Sequence, residues 1–145
     1  MDRLIQEGER LQVNLQTVMD EIDVLTHRMI EAQTAYSTYN ANDLAQAKEE
    51  CALVENAATM EAYASSKIDG KNAEQRATQL AAWLSGQGEV LVVRAELRNA
   101  EITATRLQAQ RDAAELEYKA ATYRLHAMRA IADIQAGSIR ALASE

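Results

Sequence analysis

The sequence predicts an all-α protein, a long antiparallel helical hairpin or coiled-coil bundle that we expect to be oligomeric. None of its 145 residues is proline, so the chain lacks the strongest helix breaker. Apolar residues make up 48%, but aromatic residues only 4%, with no phenylalanine. A β-sandwich or compact globule would therefore have few large side chains in its core. Apolar residues instead recur with heptad spacing over two long stretches, which is the pattern of packed helices.

The first of these stretches predicts a helix over about residues 2–38. From Leu11 onward, apolar residues recur at alternating intervals of four and three, the spacing of heptad a and d positions. The residues between them are mostly Gln, Glu, Asp, Arg and Thr, as a solvated face requires. The strongest apolar positions of this series are Leu11, Leu15, Val18, Ile22, Leu25 and Met29.

The repeat slips at residues 37–43. After Tyr39 the next apolar series starts at Leu44, five residues on, and Asn40 or Asn42 could cap a new helix. Because neither Gly nor Pro forces a break, two alternatives are open: a turn, which we favour slightly, and a continuous helix with a phase shift. The second helix is predicted over about residues 43–66.

A turn is predicted between the second and third helices. Gly70 supplies a permissive backbone, and Asn72 suits an N-cap with Gln75 as its capping-box partner. A short helix over about residues 73–85 follows. Gly86 and Gly88 end it, because two glycines in three residues are costly inside a helix.

The last helix is predicted over about residues 89–137, and its 4–3 spacing continues to Leu142. Its partners must be long: the first two helices, laid antiparallel, supply one, and other copies of the chain supply the rest. Ala at the apolar positions buries little area, and sharing burial between copies would correct that deficit. We therefore predict a single elongated domain over residues 1–145 with an oligomer seam that includes, in this helix, Val93, Leu97, Leu107, Leu125 and Met128.

Charge and cysteine content exclude several classes of protein. The net charge is −7, and residues 1–60 hold 11 acidic and 4 basic residues, which disfavours a general nucleic-acid binder. Cys51 is the single cysteine, and with two histidines it builds neither an internal disulfide nor a zinc site. We expect no metal, no cofactor and no catalytic residue. With no leader peptide or membrane span in the sequence, we expect a cytoplasmic protein, in the host cytoplasm if it is viral, without a membrane partner.

Residues 69–76 form the candidate binding site. A helix N-terminus offers free N–H groups and the positive end of the dipole, and Lys71, Asn72 and Arg76 surround it. These groups could hold a phosphate, a carboxylate or a nucleotide. The alternative is a well-capped turn whose cations pair with Glu61 or Glu74, and it is favoured because charges near a helix start are common.

The segment Gly70-Lys71-Asn72-Ala73-Glu74-Gln75-Arg76 resembles a turn in a group of small helical bacteriophage proteins. These proteins carry a G-K-N-A-E-x-R-like turn followed by a long helix rich in Ala, Glu, Arg and Leu, and the likeness covers about residues 55–140. Their genes tend to accompany phage recombination or replication functions. The resemblance implies an accessory role, singles out Lys71, Asn72 and Arg76, and assigns no catalytic residue.

Three functions follow as expectations, and an enzyme is the least favoured reading because the residue constellations of active sites are absent. The first is a non-enzymatic phage-type accessory protein that oligomerises and binds the DNA recombination or replication apparatus, through protein contacts or through DNA. The second is an inhibitor of a host antiviral defence, which binds a host protein through the acidic first helix or sequesters a nucleotide at residues 69–76. The third is a structural coiled-coil assembly factor.

Overall fold

The computed structural model describes residues 2–144, and this range is helical apart from short connections, with no β-strand. The predicted all-α class is confirmed. Residues 2–64 form one continuous helix with a π-helical turn inside it. The elements are α1 (Asp2–Tyr39), the π-helical turn (Asn40–Leu44), α2 (Ala45–Ala64), α3 (Ala73–Ser85) and α4 (Gly88–Ala143).

The prediction of a turn at residues 37–43 is wrong. The chain adopts the alternative, a continuous helix with a phase shift. The flanking residues Tyr39 and Ala45 both have right-handed α-helical backbone angles. A π-helical turn holds one more residue than an α-helical turn because its hydrogen bonds join residues five apart. The spacing of five between Tyr39 and Leu44 is therefore absorbed without breaking the helix.

Helix α2 ends at Ala64, two residues before the predicted end. Ser66 has a positive φ of 58°, a conformation that most residues with a Cβ avoid. The N–H of Lys67 bonds to the carbonyl of Ala62 at 2.9 Å, and that of Ser66 to the carbonyl of Tyr63 at 3.2 Å. These two bonds form a Schellman motif, which satisfies the last carbonyls of the helix.

Helix α3 has the predicted bounds, whereas α4 begins one residue earlier and ends six residues later than predicted. Gly137 does not stop α4, since one glycine inside a long helix costs only about 1 kcal/mol relative to alanine. Beyond it, Ile139 lines a shallow groove with Ile5 and Leu11 of α1.

The chain divides into two compact units. The first comprises the described parts of residues 1–34 and 109–145, and the second comprises residues 35–108. Helices α1 and α4 contribute residues to both units. The single domain expected over residues 1–145 stays a prediction.

In the first unit, α1 packs antiparallel against α4. Two polar contacts join the helices, Gln33 to Glu115 at 3.2 Å and Arg124 to Glu21 at 3.4 Å. Rising residue numbers on one helix therefore meet falling numbers on the other. The buried residues of this unit are Val18, Leu25, Ala121 and Leu125.

The second unit packs α2, α3 and the first part of α4 together. Trp83 of α3 donates its indole N–H to the carbonyl of Ala58 in α2 at 3.2 Å. Arg94 of α4 bonds to Glu55 of α2 at 2.7 Å. Buried apolar residues fill the space between the three helices; they are Cys51, Ala62, Ile68, Leu84, Val90, Ala100 and Ala104.

The positions predicted as an oligomer seam pack within one chain. Val18, Leu25 and Leu125 are buried. The other predicted seam residues are half-buried; they are Leu11, Leu15, Ile22, Met29, Val93, Leu97, Leu107 and Met128. That these residues also join copies of the chain stays a prediction.

Replacing Ser66 by glycine is expected to raise the free energy of unfolding by about 0.5–1 kcal/mol. Glycine adopts the positive φ at this position without the steric cost of a Cβ, and urea denaturation followed by circular dichroism measures the gain. The matched control is Ser65→Gly, because Ser65 has an ordinary φ of −89°. A Ser66→Gly protein no more stable than the Ser65→Gly protein would contradict the proposed cost at Ser66.

Candidate functional site

The turn before α3 is held by reciprocal caps. Asn72 is the N-cap, and its side-chain oxygen accepts from the N–H of Gln75 at 2.8 Å. The Gln75 side chain accepts in return from the N–H of Lys71 at 2.9 Å. A capping box ordinarily returns this bond to the N-cap residue itself, so the predicted pair is confirmed with the return bond shifted by one residue.

Gln79 makes a second clamp on the same turn, which sequence reasoning missed. Its side-chain oxygen accepts from the N–H groups of Asp69 at 2.9 Å and Gly70 at 2.8 Å. Its amide nitrogen donates to the carboxylate of Asp69 at 2.6 Å. The three bonds join residues nine and ten apart, a distance at which no local sequence pattern predicts pairing.

Arg76 closes the turn from the other side. Its guanidinium donates to the carbonyl of Gly70 at 3.3 Å. The backbone approaches so closely here that a Cβ on Gly70 would lie 2.8 Å from the backbone nitrogen of Arg76. The lack of space therefore requires glycine at position 70. Backbone conformation does not, since the φ of Gly70 is not positive.

The three residues predicted as an anion site thus have different surroundings. Asn72 is committed to the cap and Arg76 to the Gly70 carbonyl, in place of the ion pairs predicted with Glu61 or Glu74. Among residues 2–144, the Lys71 ammonium forms no ion pair. The arrangement supports the capped turn more than the anion site.

A second cluster joins α2 to α4 in the second unit. Arg94 and Glu55 form an ion pair at 2.7 Å with about a third of each side chain exposed, and the Cys51 thiol donates to the same carboxylate at 3.6 Å. The Arg94 hydrogen bond lowers the pKa of Glu55. Burial, together with the nearby Glu55 carboxylate, raises the pKa of Cys51. The thiol therefore stays protonated and is a poor nucleophile.

A groove of about 420 Å³ lies between α2 and the start of α4. Its lining residues include Leu53, whose side chain is exposed, and the acidic residues Glu61 and Glu89. None of the described residues lining it is Lys or Arg. It combines an apolar wall with negative charge, a surface suited to a basic, partly apolar ligand.

A second groove, of about 470 Å³, lies beside the π-helical turn, with Tyr36, Asn40, Lys48 and Glu101 among its lining residues. The side-chain oxygen of Asn40 is buried and has no hydrogen-bond partner within the described chain. A polar site of this size has room for water that would satisfy such an atom.

The part of the chain that the structure describes has neither a metal-site cluster nor a membrane-spanning helix. No cluster of three or more His, Cys, Asp or Glu side chains is placed to hold a metal ion. No described helix has the length and apolar character needed to cross a membrane.

Comparison with protein-family models, curated proteins and solved structures finds no significant match.

Replacing Glu55 by glutamine is expected to remove a pH-dependent part of the stability. Because the pKa of Glu55 is lowered in the fold, the Arg94 pair stabilises above the ordinary value of 4.5 and is lost as the pH falls through the lowered pKa. We expect a loss of about 1 kcal/mol at neutral pH, limited by solvent screening. Urea titrations of wild type and variant at neutral and acidic pH measure it.

The control for this measurement is Glu49→Gln, which neutralises an exposed carboxylate on the same helix. Its effect is expected to be small at every pH. If the Glu55→Gln loss were as large in acid as at neutral pH, an ionic origin would be ruled out.

The turn is expected to respond to mutation as a structural element. Arg76→Ala removes the bond to Gly70 and should lower the free energy of unfolding by about 1 kcal/mol, whereas Lys71→Ala should change it little because the side chain is exposed. Thermal melts with and without inorganic phosphate or ATP test for ligand binding. A rise in Tm with either ligand in wild type that is absent from the double variant Lys71→Ala/Arg76→Ala would instead establish the anion site.

Proposed function

We propose that the chain is a non-enzymatic, phage-type accessory protein that oligomerises and binds a basic protein of the DNA recombination or replication apparatus. The observation that supports it best is the groove between α2 and the start of α4, where Leu53 lies beside Glu61 and Glu89. The surface is apolar and acidic, and it fits a basic, partly apolar segment of another protein.

Exposed apolar side chains extend this surface beyond the groove. Leu53 is 62% exposed and Met60 is 72% exposed, and their separation of seven residues places them on the same face of α2. Ala57 lies between them and is also exposed. Together they form a stripe of the kind that anchors a partner helix at intervals of three and four residues.

The charge of the chain supports a protein partner over DNA itself. With a net charge of −7, the protein repels the phosphate backbone, which is bound through Lys and Arg. Proteins that handle nucleic acid carry basic surfaces for this reason, and an acidic groove complements such a surface. The resemblance of residues 70–76 to phage proteins directs the proposal to recombination and replication.

Cross-linking with mass spectrometry in cells that produce the chain tests the proposal. Wild type is compared with Glu61→Gln/Glu89→Gln, which neutralises the groove. We expect wild-type cross-links to DNA-binding proteins from residues around the groove, and at least a severalfold loss of them in the variant. Glu49→Gln/Glu74→Gln is the matched control, since it changes the net charge equally at exposed positions outside the groove.

The other outcomes distinguish the remaining functions. Cross-links to a defence protein, centred on the acidic residues of α1, would replace the proposal with inhibition of a host defence. Cross-links solely between copies of the chain would favour the structural assembly factor. Equal loss in both variants would show that charge in general, and not the groove, is responsible.

A further inference from the structure

Helix α4 carries a second apolar stripe on the face turned away from α1. Within the first unit its residues recur at intervals of four and three, and each of them is apolar. We call this stripe the outer face of α4. Its members are Ala109, Ala113, Leu116, Ala120, Tyr123, Ala127, Ala130, Ile134, Gly137 and Ala141.

Apart from the half-buried Gly137, the members of the outer face are exposed in the described part of the chain. Leu116 is 68% exposed, Tyr123 is 73% exposed and Ile134 is 70% exposed. The alanines of the stripe are exposed as well. Ala114, Ala121 and Met128, on the other side of the same helix, are half-buried or buried toward α1. Helix α4 therefore has two apolar stripes and a partner for one of them.

Helix α1 shows that such a stripe is not a general property of helices in this chain. The corresponding outward positions of α1 combine two valines with polar and charged residues. They are Val13, Thr17, Asp20, Val24, His27, Glu31 and Thr34. A solvated helix face is expected to look like this one. The outer face of α4 differs from a solvated face, because it has the 4–3 spacing of a coiled-coil interface and no charged or amide side chain.

The charges along one edge of the outer face indicate what covers it. Exposed residues at intervals of seven carry the signs minus, plus, neutral, minus, plus. They are Asp112, Lys119, His126, Asp133 and Arg140. In an antiparallel pair of identical helices, residues of one edge face each other across the two-fold axis. With the axis near His126, Asp112 meets Arg140 and Lys119 meets Asp133.

The same register also places large side chains of the outer face opposite complementary side chains of the second copy. Leu116 of one copy lies opposite Ile134 of the other, and Tyr123 lies opposite Ala127. Small residues beside the large ones let the two helices approach closely. A shift by one heptad in either direction would instead place Asp112 against Asp133, or Lys119 against Arg140.

A parallel arrangement of two copies is disfavoured by charge. In a parallel pair, a residue of one edge faces the opposite edge of the partner five residues further on. Asp112 would then face Glu117, and Lys119 would face Arg124. Both pairs are of like sign, so the edge charges select the antiparallel arrangement.

We infer that the outer face of α4 is the interface with a second copy of this chain, packed antiparallel about a two-fold axis near His126. The inference rests on the self-association in the proposed function and locates it on residues 109–141. The groove between α2 and α4, to which the proposed function assigns the basic partner, belongs to the other unit. The two-fold axis forms each of the two charge pairs twice, Asp112 with Arg140 and Lys119 with Asp133. Four opposite-charge contacts therefore lie along the interface.

Paired charge reversals test the inference, with dimerisation measured by sedimentation equilibrium of the full chain. Lys119→Glu/Arg140→Glu makes the edge acidic, and Asp112→Lys/Asp133→Lys makes it basic. Each variant alone is expected to dimerise at least about tenfold more weakly than wild type. An equimolar mixture of the two is expected to recover a dimer as tight as that of wild type.

The matched control for the acidic variant is Lys67→Glu/Lys71→Glu, which changes the net charge by the same amount at exposed positions outside α4. Circular dichroism checks that every variant keeps its helix content. A wild type that is monomeric at about 100 µM would overturn the inference. Charge-reversed variants that dimerise as tightly as wild type would also overturn it. So would variants that dimerise more tightly, which is the result expected of a parallel pair. Because none of these measurements involves the groove, they are independent of the basic partner.

Discussion

In each of the two units the fold depends on small side chains that let antiparallel helices pack closely. Alanine occupies many of its buried positions, including Ala62, Ala100, Ala104 and Ala121. Alanine permits close helix approach, but each one buries little apolar area. Within each unit the stabilisation must therefore be spread along the packed helices, and the register must hold over several turns. Bonds at the flanks, such as Arg94 to Glu55, help to fix that register.

Apolar periodicity was sufficient to predict most of the helical structure. The absence of proline and the 4–3 spacing identified both long helices, and Asn72 and Gly86 located the ends of α3. The slip after Tyr39 was also recognised, but its form was not. A spacing of five is compatible with a break or with a π-helical turn, and packing against α4, which local sequence does not report, selects between them.

The candidate site was less predictable because its contacts are not local. The cap by Asn72 follows from a spacing of three residues, whereas the clamp by Gln79 depends on the path of the chain around Gly70. For Arg76 the sequence left open an anion or an ion pair with Glu61 or Glu74, yet its guanidinium bonds to a carbonyl. Ser66 gave no indication of its positive φ, since glycine is the residue expected there.

The π-helical turn has a consequence for insertions and deletions in this chain. Removing any one residue from Asn40–Leu44 would give a regular α-helix, which is locally the more favourable backbone. It would also rotate α2 by about 100° about its own axis, and Cys51 would leave the side that packs on α4. A one-codon deletion here would thus improve the helix and damage the fold, so the surplus residue is maintained by packing and not by helix propensity.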